Sequence, residues 1–149
     1  MQPGSFEESL VSSLGIALFC ILAVSAGCFL IGSASGWFDL GKRFSRHSDP
    51  YGETKSVGPF FHTVYLRGWK YSNAISLTAA SDALYALILF PFRIGHPSLR
   101  IPWEEIQFGQ TRWFFRTYLV LTVGKEEKIP MRISRRMARN LGILDRVPT

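Results

Sequence analysis

The sequence predicts an N-terminal transmembrane helix followed by a mainly-β domain of seven antiparallel strands closed by a C-terminal helix. Three observations carry that expectation. Between Glu8 and Asp39, thirty consecutive residues hold no charged side chain. From residue 60 to residue 133, apolar residues recur at every second position in short runs broken by Gly and Pro, the spacing of half-buried strands. From Ser134 the spacing lengthens to that of an amphipathic helix.

The uncharged stretch is rich in Leu, Ile, Val and Phe between Leu10 and Ile31. As a helix rising about 1.5 Å per residue it reaches roughly 33 Å, slightly more than a hydrocarbon core. Inside lipid a helix satisfies its own backbone hydrogen bonds, which an irregular segment could not do. A cleaved secretory signal needs a basic start, whereas Glu7 and Glu8 make this one acidic. A lipoprotein signal could be read in residues 24–28, with Cys28 as the acylated residue, but apolar residues continue past it as Phe29, Leu30 and Ile31. The expectation is therefore a permanent anchor over residues 9–35, with residues 1–8 as a short extracytoplasmic tail. Cys20 and Cys28 both fall in the span, as small apolar filler. Ala23 and Gly27 have the spacing of a small-residue helix-pairing face.

Lys42, Arg43 and Arg46 follow the span, and basic flanks stay in the cytoplasm, so the C-terminal domain is expected on the cytoplasmic side of the cell inner membrane. Trp37 and Phe38 fall where an aromatic belt meets the headgroups. Together with Lys42 and Arg43 they form the expected membrane interface. Residues 36–59 read as a polar juxtamembrane linker, with a turn at residues 48–52. All seventeen Lys and Arg follow the apolar stretch, against nine acidic residues (eleven less Glu7 and Glu8), giving that part a net charge of +8. Such a charge on a tethered domain favours anionic lipid headgroups. The charges form no groove-reading or zinc pattern, so no nucleic-acid partner is expected.

Residues 60–149 supply the β domain. Strands are expected at residues 60–66, 73–79, 84–92, 98–103, 105–109, 115–123 and 128–133, in phase through Leu99, Ile101 and Trp103, then Phe115, Leu119, Leu121 and Val123, then Ile129, Met131 and Ile133. The nearly continuous apolar run at residues 84–92 is too short for a second span, roughly 10 residues where about 20 are needed, and reads as a buried central strand. The helix follows at residues 134–144, with Ser134 as N-cap, Met137, Ala138, Leu141 and Leu144 along one stripe, and Pro148 preventing continuation.

Seven antiparallel strands plus a C-terminal helix resemble the layout of pleckstrin-homology-like and GRAM-like domains. Residues 82–85 (Asp-Ala-Leu-Tyr) and 101–106 (Ile-Pro-Trp-Glu-Glu-Ile) are similar to motifs of the bacterial members. Residues 35–44 and 93–97 resemble a group of small single-span bacterial membrane proteins of unknown role. The resemblance implies a fold and carries over no catalytic residue. The basic pair by which some pleckstrin-homology domains hold phosphoinositides is matched only by Arg67 and Lys70, without the repeat of basic residues.

Candidate chemistry is sparse. His47, His62 and His96 have no ligand partners at metal spacing and read as linker, strand and turn residues. No nucleophile elbow or phosphate loop occurs, and Glu104 and Glu105 read as a solvated loop pair pointing to opposite faces. No catalytic, cofactor-binding or metal residues are expected, and no cofactor. Three functions follow in order of preference. The first is a non-catalytic scaffold or adaptor that docks another membrane or envelope protein by a strand edge or the groove beside the C-terminal helix. The second is a reader of anionic lipid headgroups through Arg132, Arg135, Arg136 and Arg139. The third is an enzyme whose site the sequence does not display.

Overall fold

A computed structural model describes residues 4–45, 50, 52–90 and 92–147. The expected turn at 48–52, Arg46, His47 and Pro148 lie wholly or partly outside the described residues.

Helix α1 (Gly4–Ala34) is apolar around its whole circumference, which marks a helix with no aqueous side. Its stretch Glu7–Ala34 is long and apolar enough to cross a membrane. Gly36 then turns the chain with φ 82°, and α2 (Trp37–Phe44) follows. Only a glycine fits there, because a Cβ would meet Ile129 Cδ1 at 3.0 Å and Arg67 Cζ at 3.3 Å. Helix α2 is strongly amphipathic and buries Trp37, Leu40, Gly41 and Phe44. The segment read as a linker thus contributes a helix to the core. It also holds β1 (Lys55–Val57). Its polar surface residues, Asp39, Lys42 and Arg43, are one face of that helix; the apolar residues between them are the other.

Among the described residues, nine strands form two antiparallel sheets: β1, β2 (Thr63–Leu66), β3 (Trp69–Ser72), β4 (Ile75–Ala79), β5 (Ala83–Ile88), β6 (Leu99–Pro102), β7 (Ile106–Trp113), β8 (Arg116–Val123) and β9 (Ile129–Ser134). One sheet runs β1-β4-β5-β6, the other β3-β2-β9-β8-β7. Each of the seven expected strands has a counterpart, several of them shortened, while the one expected at 105–109 runs on to Trp113 as β7. The two extra ones arise from a bend. β1 pairs with β4 (Val57↔Leu77) and β2 with β3 (Thr63↔Ser72), so residues 58–62 face residues 73–76 across one long hairpin that passes from sheet to sheet. Five residues opposite four make a bulge, which bends the strand. Asn73, at φ 54°, sits in this bend; its amide donates to the His62 carbonyl (3.0 Å) and its Oδ1 accepts from the Phe61 amide (2.9 Å).

The core lies between the sheets. Leu77, Leu99, Ile101, Leu121, Ile129, Met131 and Ile133 are fully enclosed, as their alternation predicted. β5 pairs on both sides, with β4 and β6, so residues 84–88 of the apolar run form a central strand, while Phe90 and Phe92 lie beyond its end and are exposed. Phe115 is a departure: it is 94 % exposed, in the β7–β8 turn rather than on the inward face. Trp103 belongs to a 3-10 turn (Trp103–Glu105), half-buried, with its indole N–H on the Ala80 carbonyl at 2.9 Å and the Arg146 guanidinium 4.3 Å from the ring centre. Helix α3 (Arg135–Asn140) closes the core with Met137 and Ala138. Ser134 caps it, Oγ accepting from the Met137 amide at 3.2 Å. The helix is shorter than expected; the chain reverses at Gly142, φ 67°, and continues in a 3-10 turn (Leu144–Arg146).

Three substitutions test this packing. A Cβ on Gly41 would lie 2.6 Å from Pro97 Cγ, so Gly41→Ala should lower stability by about 1–3 kcal/mol, read as a drop in melting temperature in detergent. Gly15→Ala, with open space around it, should leave that temperature unchanged or raise it. Ser134→Ala, which removes the cap, should cost about 1 kcal/mol in the same assay.

Candidate functional site at the junction of anchor and domain

The last turns of α1 lie against the domain. A cavity of about 180 Å³ between them is lined by Cys28 and Ile31 from α1, Tyr71, Ala74, Phe92 and His96. Gly32 permits the approach: a Cβ there would stand 3.0 Å from His96 Nε2. Around this contact runs an aromatic cluster. The Phe29 and Phe38 rings are 4.8 Å apart, and the His96 ring lies 5.6 Å from Trp37, 6.1 Å from Tyr71 and 6.2 Å from Phe38.

Polar groups are threaded through the cluster in one chain. Ser35 Oγ is 2.8 Å from Tyr71 Oη, Tyr71 Oη is 3.4 Å from His96 Nε2, and His96 Nδ1 is 3.1 Å from the Ile94 carbonyl. A carbonyl only accepts, so the partners assign the imidazole proton to Nδ1 and leave Nε2 as the acceptor of the Tyr71 hydroxyl. Either hydroxyl can donate in the Ser35–Tyr71 bond; Ser35 Oγ also lies 3.3 Å from the Gly32 carbonyl, and its oxygen is 3.4 Å from the Trp37 amide. Every donor is used when His96 is neutral. Burial pushes its imidazole below the ordinary value of 6.5, against the opposing pull of the Ile94 and Phe92 carbonyls. Burial likewise pushes the Tyr71 phenol up, partly offset by the bond to Ser35. Trp37 completes the joint, its indole N–H donating to the Pro97 carbonyl at 2.9 Å.

Several interface expectations change here. Trp37 has no exposed surface and is a core residue; its ring is the right size to fill the gap between α2, β3 and residues 96–97. Arg43 turns toward carboxylates, Glu105 at 3.3 Å, Glu127 at 3.1 Å and Glu126 at 3.7 Å, so its charge is already matched within the domain. Glu105 is correspondingly not a solvated loop residue, its side chain only 15 % exposed. Lys42 stays exposed beside Asp39 at 3.8 Å, and Phe38 is half-buried between Phe29 and His96. Cys28 packs on the domain, whereas Cys20 is exposed. His96, read as an ordinary turn residue, is 97 % enclosed, at 3 % exposure. A sequence signal for it existed: residues 92–97 are apolar or small except for Arg93 and His96.

A second cleft, about 740 Å³, is lined by Phe60, Phe61, Tyr65, Lys70, Arg116, Tyr118, Ser134 and Arg136 among others, with no carboxylate among the described residues of its lining. It separates the four expected arginines. Arg136 joins Lys70 and Arg116 there, which residue spacing could not reveal because they come from α3, β3 and the start of β8. Arg135 lines a different, smaller cleft beside Thr117 and Leu144. Arg139 is exposed on α3, and Arg132 lies half-buried on β9 between β2 and β8. Among the described residues, no group of three His, Cys, Asp or Glu side chains could hold a metal ion. No family model, no curated protein and no solved structure matches the chain.

The histidine gives a signed pH dependence. With the folded imidazole below 6.5, the unfolded chain binds the extra proton first on acidification. Stability is therefore complete above about pH 6.5 and falls below it, toward the folded value. Thermal unfolding in detergent from pH 8 to pH 5 should show this fall, and His96→Gln should flatten it.

Proposed function

We infer that this chain is a single-span membrane protein whose non-catalytic, pleckstrin-homology-like domain acts as an adaptor, docking an extended segment of another membrane or envelope protein. The observation that carries the reading is the edge of β7. This eight-residue strand pairs with β8 on one side and closes its sheet on the other, leaving a row of backbone donors and acceptors for an added strand. The other sheet edges are shorter: β3 has the end of α1 alongside it, and β6 is bridged by Ser45 at Leu99. Nine strand segments following seven paths, with a C-terminal helix over the core, support the pleckstrin-homology-like assignment. The basic residues after α1 support a cytoplasmic domain at the inner membrane. Reading of anionic headgroups is the second proposal, and the cleft of Lys70, Arg116 and Arg136 supports it better than the α3 arginines do.

Photo-crosslinking in cells tests the first reading. A photoreactive residue at Gln107 or Gln110, exposed on β7, should give one discrete adduct with the same envelope protein, and one at Arg139 should give none. Absence of any adduct from β7 at normal expression would sink the adaptor reading. Reporter fusions at the C-terminus check its side of the membrane, and an extracytoplasmic signal overturns the orientation.

A further inference from the structure

The geometry points to a second membrane contact: one end of the β domain lies on the bilayer by three aromatic loops, so that the chain is held by its helix and by a rim. This rests on the reading of α1 as a membrane anchor.

The first loop, between β5 and β6, places the site in depth. A Cβ on Gly95 would stand 3.2 Å from Phe38 of α2 and in ordinary contact, 3.7 Å, with Phe29 of α1, and Phe92 and His96 line a cavity with Cys28 and Ile31. The uncharged helix before that contact, residues 9–27, is about 28 Å long, close to a hydrocarbon core of about 30 Å. The loop therefore sits where hydrocarbon gives way to headgroups. There it exposes Phe90, Phe92 and Ile94 beside the apolar helix, an apolar patch continuous with the anchor itself.

Register puts two more loops at the same end. The bend at Asn73 joins them: Leu89 donates to the Ala74 carbonyl at 2.9 Å, and Phe61 to Asn73 Oδ1. Residues 60–61 thus border the β5–β6 loop. Thr63 pairs with Ser72, and Ser134 with Tyr118; the β2–β9 register, Tyr65↔Arg132, extrapolates to Thr63 opposite Ser134. The β7–β8 turn follows at this end, and Arg116 beside it shares the large cleft with Phe60 and Phe61.

The two outer loops present their aromatic residues at a cost. Phe61 has φ 64° and is 97 % exposed; Phe114 has φ 53° and is 81 % exposed, next to the equally bare Phe115. A bulky side chain in the left-handed region is strained, and such strain persists where something beyond the fold uses it. Charge agrees. The segments at this end (residues 58–62, 69–75, 88–99, 110–118 and 134–136) hold Lys70, Arg93, Arg112, Arg116, Arg135 and Arg136 and no acidic residue. Aromatic wedges set among basic side chains suit a headgroup layer, and they point to lipid rather than to a protein groove.

Nitroxide depth measurements on the full chain decide it. Labels at Phe92→Cys, Phe114→Cys and Lys125→Cys go into a Cys20→Ser, Cys28→Ala background, reconstituted in phosphatidylcholine nanodiscs with one copy per disc. Leu18→Cys monitors the helix. The ratio of oxygen to nickel-chelate collisions at 92 and 114 should exceed that at 125 by about tenfold, the shift expected for side chains buried in the interface. Ratios at 92 and 114 equal to that at 125 overturn the docking whatever position 18 reports. A water-exposed label at 18 with protected 92 and 114 overturns the anchor and leaves the rim contact standing. Protection that appears only in discs holding two copies assigns the rim to a second chain and overturns the lipid contact.

Discussion

The burial of Trp37 is the constraint on which the rest depends. Its ring fills the space where α2, β3 and the β5–β6 loop converge, and its indole N–H is tied to the Pro97 carbonyl. With that ring in place, the end of α1 runs along β3, Ser35 meets Tyr71, and His96 is shut in, burial holding its imidazole below the ordinary value. Truncating such a side chain costs about 3–5 kcal/mol in general. Here the loss also unlocks an apolar helix from the domain that follows it.

That coupling gives the junction a chemistry of its own. The chain of hydroxyl and imidazole groups from Trp37 to Ile94 runs through a buried site, and a low local dielectric makes any unmatched polar group in it costly. The three carboxylates around Arg43 secure the other end of α2. Between a neutral hydrogen-bonded end and an ion-paired end, α2 works as a strut that joins the apolar helix to both sheets.

Much of this was legible in the residues. Alternation located seven strands and the enclosed side chains of β4, β6, β8 and β9, because a half-buried sheet enforces a period of two. Ser134 was readable as a cap because its role is local. The misses share one cause, which is long-range contact. α2 is only eight residues long, and its apolar positions become meaningful once a sheet is set against them. β1 and β3 are three- and four-residue pieces of a bent hairpin, and the bend depends on a side chain–backbone bond across it. The cleft of Lys70, Arg116 and Arg136 assembles from elements far apart in sequence, while the arginines adjacent in sequence, Arg135 and Arg136, diverge into separate clefts.

The close approach at Gly32, Gly36 and Gly41 leaves no hinge between helix and domain, and that absence has a mechanical meaning. A tethered domain on a loose linker averages over orientations and is indifferent to the lipid around its anchor. A domain fused to its anchor is a lever. When an apolar helix tilts to fit a thinner bilayer, everything rigidly attached to it swings through the same angle. If α1 spans a bilayer as proposed, the far end of the sheets, with its Glu126–Glu127 turn, swings with it, and a few ångströms of bilayer thickness would be written out as the direction of the β7 edge.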